Sequence, residues 1–307
     1  MTKHGEGDST FESRKFTDWA TVKEALIGER IDAVFILAPM AMQLKIDGVG
    51  VKVVYLGHRD GTAIVVGADS DIRDFADLED KRCAIPSRYS NQNLLMHKMM
   101  KQWNMEPGSI DLIELPPPDH PTALENGSID AYIVGEPFAA LSEMNGTGRV
   151  LYQTKDIWED FISCVLVVRE DVINDERAIV QELVDGIAKS GKWLDESMQN
   201  RMEAAEIAAA NYYFQDPDLL RYVLSKPVDR VKYTQLGPLK DDFDEIMELG
   251  FEIGVLPRRI DFEEYVDDTF VRPLSELDWN MEHLAGADQE AAAAAAEAIM
   301  AELEKSE

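Results

Sequence analysis

Apolar runs of strand length alternate with helix-length amphipathic segments between about residues 20 and 170. Continuous apolar runs such as residues 33–37 and 131–134 are typical of strands that are buried on both faces. The segments between these runs begin with polar capping residues and carry helical periodicity. The alternation predicts βαβ units and an α/β fold with mainly parallel sheets. Beyond about residue 170 the pattern is helical only.

One stretch of the sequence is repeated with the same pattern. Residues 25–41, ALIGERIDAVFILAPMA, return 98 positions later at residues 123–139 as ALENGSIDAYIVGEPFA, with seven of seventeen positions identical. Each copy predicts a helix, a buried strand and a second helix opened by proline. Ligands of open parallel sheets bind at the carboxyl ends of strands, so Ala38 and Met40 in the first copy and Glu136 in the second are candidate contacts. Plain fold periodicity without a ligand explains the repeat equally well.

The rhythm changes at residues 51–68, where two apolar strands are joined through Asp60 and Gly61. This dipeptide is typical of a β-hairpin turn, which breaks the parallel alternation. We therefore expect a hairpin here, and a crossover of the chain between two α/β units close to it.

The segment SRYSNQN, residues 87–93, follows a predicted strand and opens a predicted helix. Ser90 or Asn91 can cap that helix, and hydroxyl and backbone N–H groups at such a position suit an anionic or polar head group. Ser87 and Tyr89 lie close enough in sequence to join the contact. Simple helix capping by the same residues is the alternative.

Further candidates lie in the first 60 residues. Trp19 follows a Thr-Asp cap, Met40 follows Pro39, and the pair His58 and Arg59 precedes the Asp60-Gly61 turn. An aromatic residue, an apolar residue and a cation suit a sulfonate or small organic acid better than bare nitrate. A core position for Trp19 and Met40, and an exposed turn for the His-Arg pair, are the alternatives.

Two acidic residues complete the set. Asp119 precedes His120-Pro121 and is expected to cap the next helix. Glu136 lies at a helix N-terminus, where the helix dipole favours an acid, and a cleft or metal role is the alternative.

Charge, composition and motifs argue against several classes of function. The chain has 30 Lys and Arg against 59 Asp and Glu, a net charge of −29, which argues against nucleic acid or an anionic membrane as partner. No window offers about 18 uncharged apolar residues, so no membrane span is expected. Cys83 and Cys164 read as buried free thiols. No phosphate loop, nucleophile elbow or metal-ligand spacing is present, so neither an enzyme nor a cofactor or metal site is expected.

At ILAPMA, GHRDG, SRYSNQNLL, ELPPPD and VGEPF, taken in this order, the chain resembles the substrate-binding proteins of ABC importers for nitrate, sulfonates, taurine and bicarbonate. The resemblance covers roughly residues 11 to 275. It implies a type 2 periplasmic-binding-protein fold, in which two lobes joined by crossing strands close on a small-molecule solute. Lobe 1 would comprise residues 1–63 plus 166–286 and lobe 2 residues 64–165, followed by an Ala- and Glu-rich tail at 287–307. It also implies an extracytoplasmic location and an ABC permease partner.

The chain departs from this family at its start. Members usually begin with an export signal, a first strand and a first helix, whereas this sequence begins at what resembles the second strand and shows no apolar signal region. A truncated start is one interpretation, and a remodelled cytoplasmic sensor with the same fold is the other. A related enzyme class that makes a thiamine pyrimidine precursor carries a cysteine-rich motif, which is absent here.

Overall fold

The computed structural model describes residues 9–211 and 216–277. Within them the strands are β1 (Ala33–Ile36), β2 (Val51–Asp60), β3 (Thr62–Gly67), β4 (Arg82–Ile85), β5 (Asp111–Glu114), β6 (Ala131–Gly135), β7 (Gly148–Gln153), β8 (Ile162–Arg169) and β9 (Val231–Lys232). They form two sheets. Sheet A has the order β1-β8-β2-β9, and sheet B has the order β5-β4-β6-β3-β7.

The helices of the same residues are α1 (Trp19–Ile27), α2 (Ala38–Ile46), α3 (Asn91–Gln102), α4 (His120–Glu125), α5 (Phe138–Met144), α6 (Glu170–Asp175), α7 (Arg177–Glu196), α8 (Met198–Asn211), α9 (Pro217–Ser225), α10 (Lys240–Glu252) and α11 (Phe262–Tyr265). The predicted tail at 287–307 lies outside the described residues. The lobe boundaries drawn from the sequence remain predictions.

The inner strands β3 and β6 of sheet B are buried on both faces, as their continuous apolar runs predict. Ile64 and Val66 of β3 share a core with Leu95 of α3, while the alternate residues Ala63 and Val65 share another with the α4 and α5 side. Successive side chains of a strand point to opposite faces, so both sets must be apolar when helices cover both faces.

The strand directions differ from the expected, mainly parallel arrangement. In sheet B, β4 pairs in parallel with β5 and β6, but β3 is antiparallel to β6 and β7. In sheet A the described ladders of β8 with β1 and β2, and of β2 with β9, are all antiparallel. The reason is topological: β2 runs towards sheet B and β8 returns from it, and two adjacent strands running out and back are antiparallel.

The expected hairpin at Asp60-Gly61 is wrong, although a turn is present. Asp60 and Gly61 have the left-handed φ values of 60° and 66° that the dipeptide favours. The strands on either side belong to different sheets, so the turn carries the chain from sheet A to sheet B. The Gly61 N–H donates to Arg230 O at 2.8 Å, and Gly61 O accepts from the Glu136 N–H at 2.8 Å. The crossover expected near this point is therefore confirmed.

Replacing Gly61 by alanine is expected to lower the free energy of unfolding by about 1–2 kcal/mol, because an L-residue is strained in the left-handed region. The new Cβ would also lie 2.9 Å from Val231 Cγ2. Gly67→Ala, at the end of the strand that follows the turn, is the matched control, since its Cβ would meet nothing closer than Ser70 Cβ at 3.7 Å. Urea denaturation measures both variants, and an equal loss in the two would contradict the argument.

Candidate functional site

A cavity of about 1300 Å³ lies between the two sheets. On the sheet A side it is lined by residues of α1, β1 and β2, and on the sheet B side by residues at the start of α3 and around β6 and α5. Aromatic and apolar side chains from both sides contribute to the walls, among them Trp19, Val22, Phe35, Pro118 and Phe138. A cavity of this size, formed where two units meet, is typical of a small-molecule site.

The part of this cavity next to the chain crossings is here called the cavity floor, and it consists of His58, Gln92, Gly135, Glu136, Ser163 and Cys164. Register places these residues together. His58 of β2 lies opposite Cys164 of β8, and Gly135 at the end of β6 lies opposite Thr62. The floor is thus built from both sheets at the point where they join.

Three residues that line the cavity each carry a buried polar atom with no hydrogen-bond partner within the described residues: Trp19 Nε1, His58 Nδ1 and Gln92 Oε1. Gln92 is 2% exposed, and its Nε2 donates to Thr62 Oγ1 at 3.3 Å. Leaving a buried polar atom unsatisfied costs about 1–3 kcal/mol, so the residues that carry such atoms beside the cavity are candidates for contact with a ligand.

Burial also fixes the charge of the floor. It lowers the pKa of His58 to about 4, so the imidazole is neutral at pH 7. It raises the pKa of Cys164 to about 11, so that residue is a thiol. The imidazole is therefore uncharged, and of the His58-Arg59 pair only Arg59 is a cation.

Glu136 is the charged member of the floor, and its side chain is 4% exposed. Its Oε1 lies 2.6 Å from Arg230 Nη1, and its Oε2 accepts from the Ala140 N–H at 2.9 Å. Arg230 Nη2 also pairs with Glu143 Oε2 at 2.8 Å. Burial raises the pKa of Glu136, while Arg230 opposes that shift. The carboxylate therefore caps α5, as one interpretation predicted, and also forms an ion pair at the cavity.

Of the candidate residues from the sequence, Trp19, His58 and Glu136 line the cavity. Ala38 and Met40 do not, because α2 presents its first turn to the core of sheet A, where they are 0% and 5% exposed. The structure does not place these two residues at the cavity, and their role in ligand binding stays a prediction.

Arg59 is 2% exposed and fully engaged away from the cavity. It donates to the carbonyls of Gln235 and Asp160 and pairs with Asp242 at 2.9 Å. Tyr89 packs against the core that includes sheet A, and Asp119 is exposed at the end of a short turn and makes no side-chain capping bond.

The segment 87–93 reaches the cavity through a different side chain from those expected. Ser90 caps α3 by accepting from the Asn93 N–H at 3.0 Å. Ser87 Oγ accepts from the Tyr89 N–H, and Asn91 Nδ2 donates to Ile162 O at 2.6 Å. The Ser90 and Ser87 bonds are the local ones of the capping alternative, whereas the Asn91 bond joins the start of α3 to β8. Gln92, which was not a candidate, is the one of this segment that lines the cavity.

Within the described ranges there is no cluster of three or more His, Cys, Asp or Glu side chains that could hold a metal ion. No helix in those ranges is both long and apolar enough to cross a bilayer.

Two sheets joined by short crossings, with a cavity between them, define the class of periplasmic binding proteins. The structure matches the ligand-binding component of an ABC-type import system from Staphylococcus aureus, solved with zinc bound, with a TM-score of 0.75, 27% identity and coverage of 86% of this chain and 87% of that one. It also matches the nitrate-binding protein NrtA of Synechocystis with a TM-score of 0.76 at 19% identity, over 89% of this chain and 81% of that one. Residues 3–209 match the model of the NMT1-like family, and the chain belongs to this family.

Two known proteins are similar to this chain in sequence. The nitrate import ATP-binding protein NrtC of Synechocystis is 27% identical over 65% of this chain. The taurine-binding periplasmic protein of Escherichia coli is 27% identical over 60% of this chain. The matched regions span 32% of NrtC and 56% of the taurine-binding protein. The expected family resemblance and two-lobe fold are thus confirmed.

Replacing Arg230 by methionine is expected to lower the free energy of unfolding by about 3–5 kcal/mol, because it leaves a buried carboxylate uncompensated. The matched control is Arg259→Met, which breaks an ion pair with Glu248 whose side chains are 48% and 51% exposed, and should cost at most about 1 kcal/mol.

The Arg230→Met deficit should shrink between pH 8 and pH 5. Burial already raises the pKa of Glu136, and loss of the guanidinium raises it further. The folded variant then binds a proton more readily than the unfolded chain, so lowering the pH stabilises it. A deficit that grows as the pH falls would contradict this assignment of the ion pair.

Proposed function

We propose that this chain is the solute-binding component of an ABC importer and holds a small polar solute in the cavity between its two lobes. The observation that carries the proposal is the cavity floor, which residues of both sheets and of α3 form and in which His58 and Gln92 each carry a buried polar atom without a partner. Membership of the NMT1-like family supports it. By analogy with the relatives, the solute classes to consider are sulfonates with taurine, nitrate and bicarbonate, and the resemblance seen in the sequence adds pyrimidine precursors.

Closure around the solute would use the two chain crossings. They lie at Gly61 and Phe161, and the backbone bond from the Asp60 N–H to Phe161 O, 2.7 Å long, holds them side by side. A cavity whose walls belong to different sheets changes volume when the sheets rotate about such a junction. An ABC permease as partner and an extracytoplasmic location belong to the same proposal.

Binding rather than catalysis is proposed because the floor lacks an activated nucleophile. Cys164 has a pKa raised to about 11 and His58 one lowered to about 4. A thiol held protonated beside an imidazole of such low basicity is the reverse of what nucleophilic catalysis requires.

A panel of nitrate, bicarbonate, taurine, alkanesulfonates and neutral pyrimidines, tested by thermal shift on the full chain, should contain a stabilising solute. At about 100 times its Kd a solute adds about 2.7 kcal/mol of stability, which corresponds to roughly 5–10 °C for a chain of this size. Gly135→Val places a side chain in the cavity floor and should abolish the shift. A folded protein that no solute in the panel stabilises would contradict the proposal.

A further inference from the structure

We infer that the solute is an uncharged organic molecule that carries both hydrogen-bond donors and acceptors, and that Gln92 selects it. The inference rests on the proposed function and concerns the chemistry of the cavity floor. The distinctive feature of this floor is that its unsatisfied groups are neutral, while Glu136, Arg230 and Arg59 are already engaged.

The cations near the crossings are not available to an anion. All three nitrogens of the Arg230 guanidinium group are bonded, to Lys226 O, Glu136 and Glu143. Those of Arg59 are bonded to Gln235 O, Asp160 O and Asp242. Binding an oxyanion would require one of these buried networks to break, which is costly.

The field at the floor also disfavours an oxyanion. Arg230 is paired with two carboxylates, so the group formed with Glu136 and Glu143 carries one net negative charge. Lys232 likewise lies between Asp60, at 3.2 Å, and Asp160, at 3.1 Å. The basic residues that line the cavity elsewhere, Arg14, Lys15 and Arg30, lie on exposed chain near the N-terminus, where solvent screens them.

A cationic solute is disfavoured for a different reason. Both oxygens of Glu136 have partners, one in Arg230 and one in the Ala140 N–H. An ammonium group on the floor would have to be desolvated without a free carboxylate to pair with it.

Gln92 provides a neutral contact whichever way its amide is turned. The Thr62 hydroxyl that it meets at 3.3 Å can donate or accept, so either end of the amide can hold it and the other end remains for the solute. Neutral His58 similarly offers one ring nitrogen, and Trp19 offers an N–H. With Phe35 and Phe138 in the walls, this set suits a flat amide or heterocycle.

Isothermal titration of the full chain with three groups of probes tests the inference. The uncharged group is cytosine, uracil and nicotinamide; the anionic group is nitrate, bicarbonate and methanesulfonate; the cationic group is putrescine and guanidinium. We expect the tightest binding from an uncharged probe, with a Kd that changes less than about twofold between 50 and 500 mM NaCl, because no ionic contact is formed.

Gln92→Leu should weaken that probe about tenfold, the effect of one lost hydrogen bond to a buried group. Gln102→Leu, on the exposed end of the same helix, should leave the Kd within twofold. Circular dichroism and the Tm confirm folding, and Gln92→Met replaces the leucine variant if that one does not fold.

Tightest binding by an anion or a cation would overturn the inference while leaving the proposed solute capture intact. Equal affinities of the wild type and Gln92→Leu for the best probe would overturn the role of Gln92. Binding of no probe from any group would count against the proposed function itself.

Discussion

The structure depends on how the chain is held at Gly61, where it passes from one sheet to the other. Both backbone groups of this residue are engaged, the N–H by Arg230 O and the carbonyl by the Glu136 N–H. The side chains of the same two residues form the buried ion pair. Backbone and side-chain contacts therefore link three residues in a closed ring. They are Arg230 just before β9, Gly61 at the crossing and Glu136 just after β6. Each contact fixes the geometry that the other two need.

This ring also sets the chemistry of the cavity. Glu136 has one oxygen on Arg230 and the other on the first turn of α5, so it lines the cavity without offering a free charge to it. The neighbouring polar side chains, His58 and Gln92, are neutral and lack partners on the cavity side. The ion pairs thus hold the junction between the sheets, and the unsatisfied groups beside them are neutral.

Local sequence predicted much of the fold because local physics decides it. Pro39 in the first turn of α2 and Ser90 as the cap of α3 lie where their backbone preferences place them. The Asp60-Gly61 pair predicted a turn, and a turn is present there. It could not predict that the strands on either side pair with different partners, since β8, which pairs with β2, lies about 100 residues further along the chain. The antiparallel directions follow from that long-range pairing.

The site was predictable only to the level of segments. The segment 87–93 was predicted to contact a ligand, and one of its residues, Gln92, lines the cavity, but on a helix neighbouring side chains point about 100° apart. Asn91 therefore faces β8 while Gln92 faces the cavity, and sequence alone does not choose between them. Arg230 gave no signal, because its importance comes from carboxylates 94 and 87 positions away in the chain.

The two copies of the internal repeat differ in chemistry at one equivalent position. At the 98-residue offset, Ala38 corresponds to Glu136. Each residue follows the strand of its copy. Ala38 is the first residue of α2, and Glu136 lies two residues before the start of α5. In sheet A this position is filled by a small apolar residue that disappears into the core. In sheet B it holds a carboxylate that reaches Arg230, across the junction between the sheets. The same structural unit therefore contributes to core packing beside sheet A, whereas beside sheet B it carries the ion pair that links the two sheets. The cavity lies next to this ion pair.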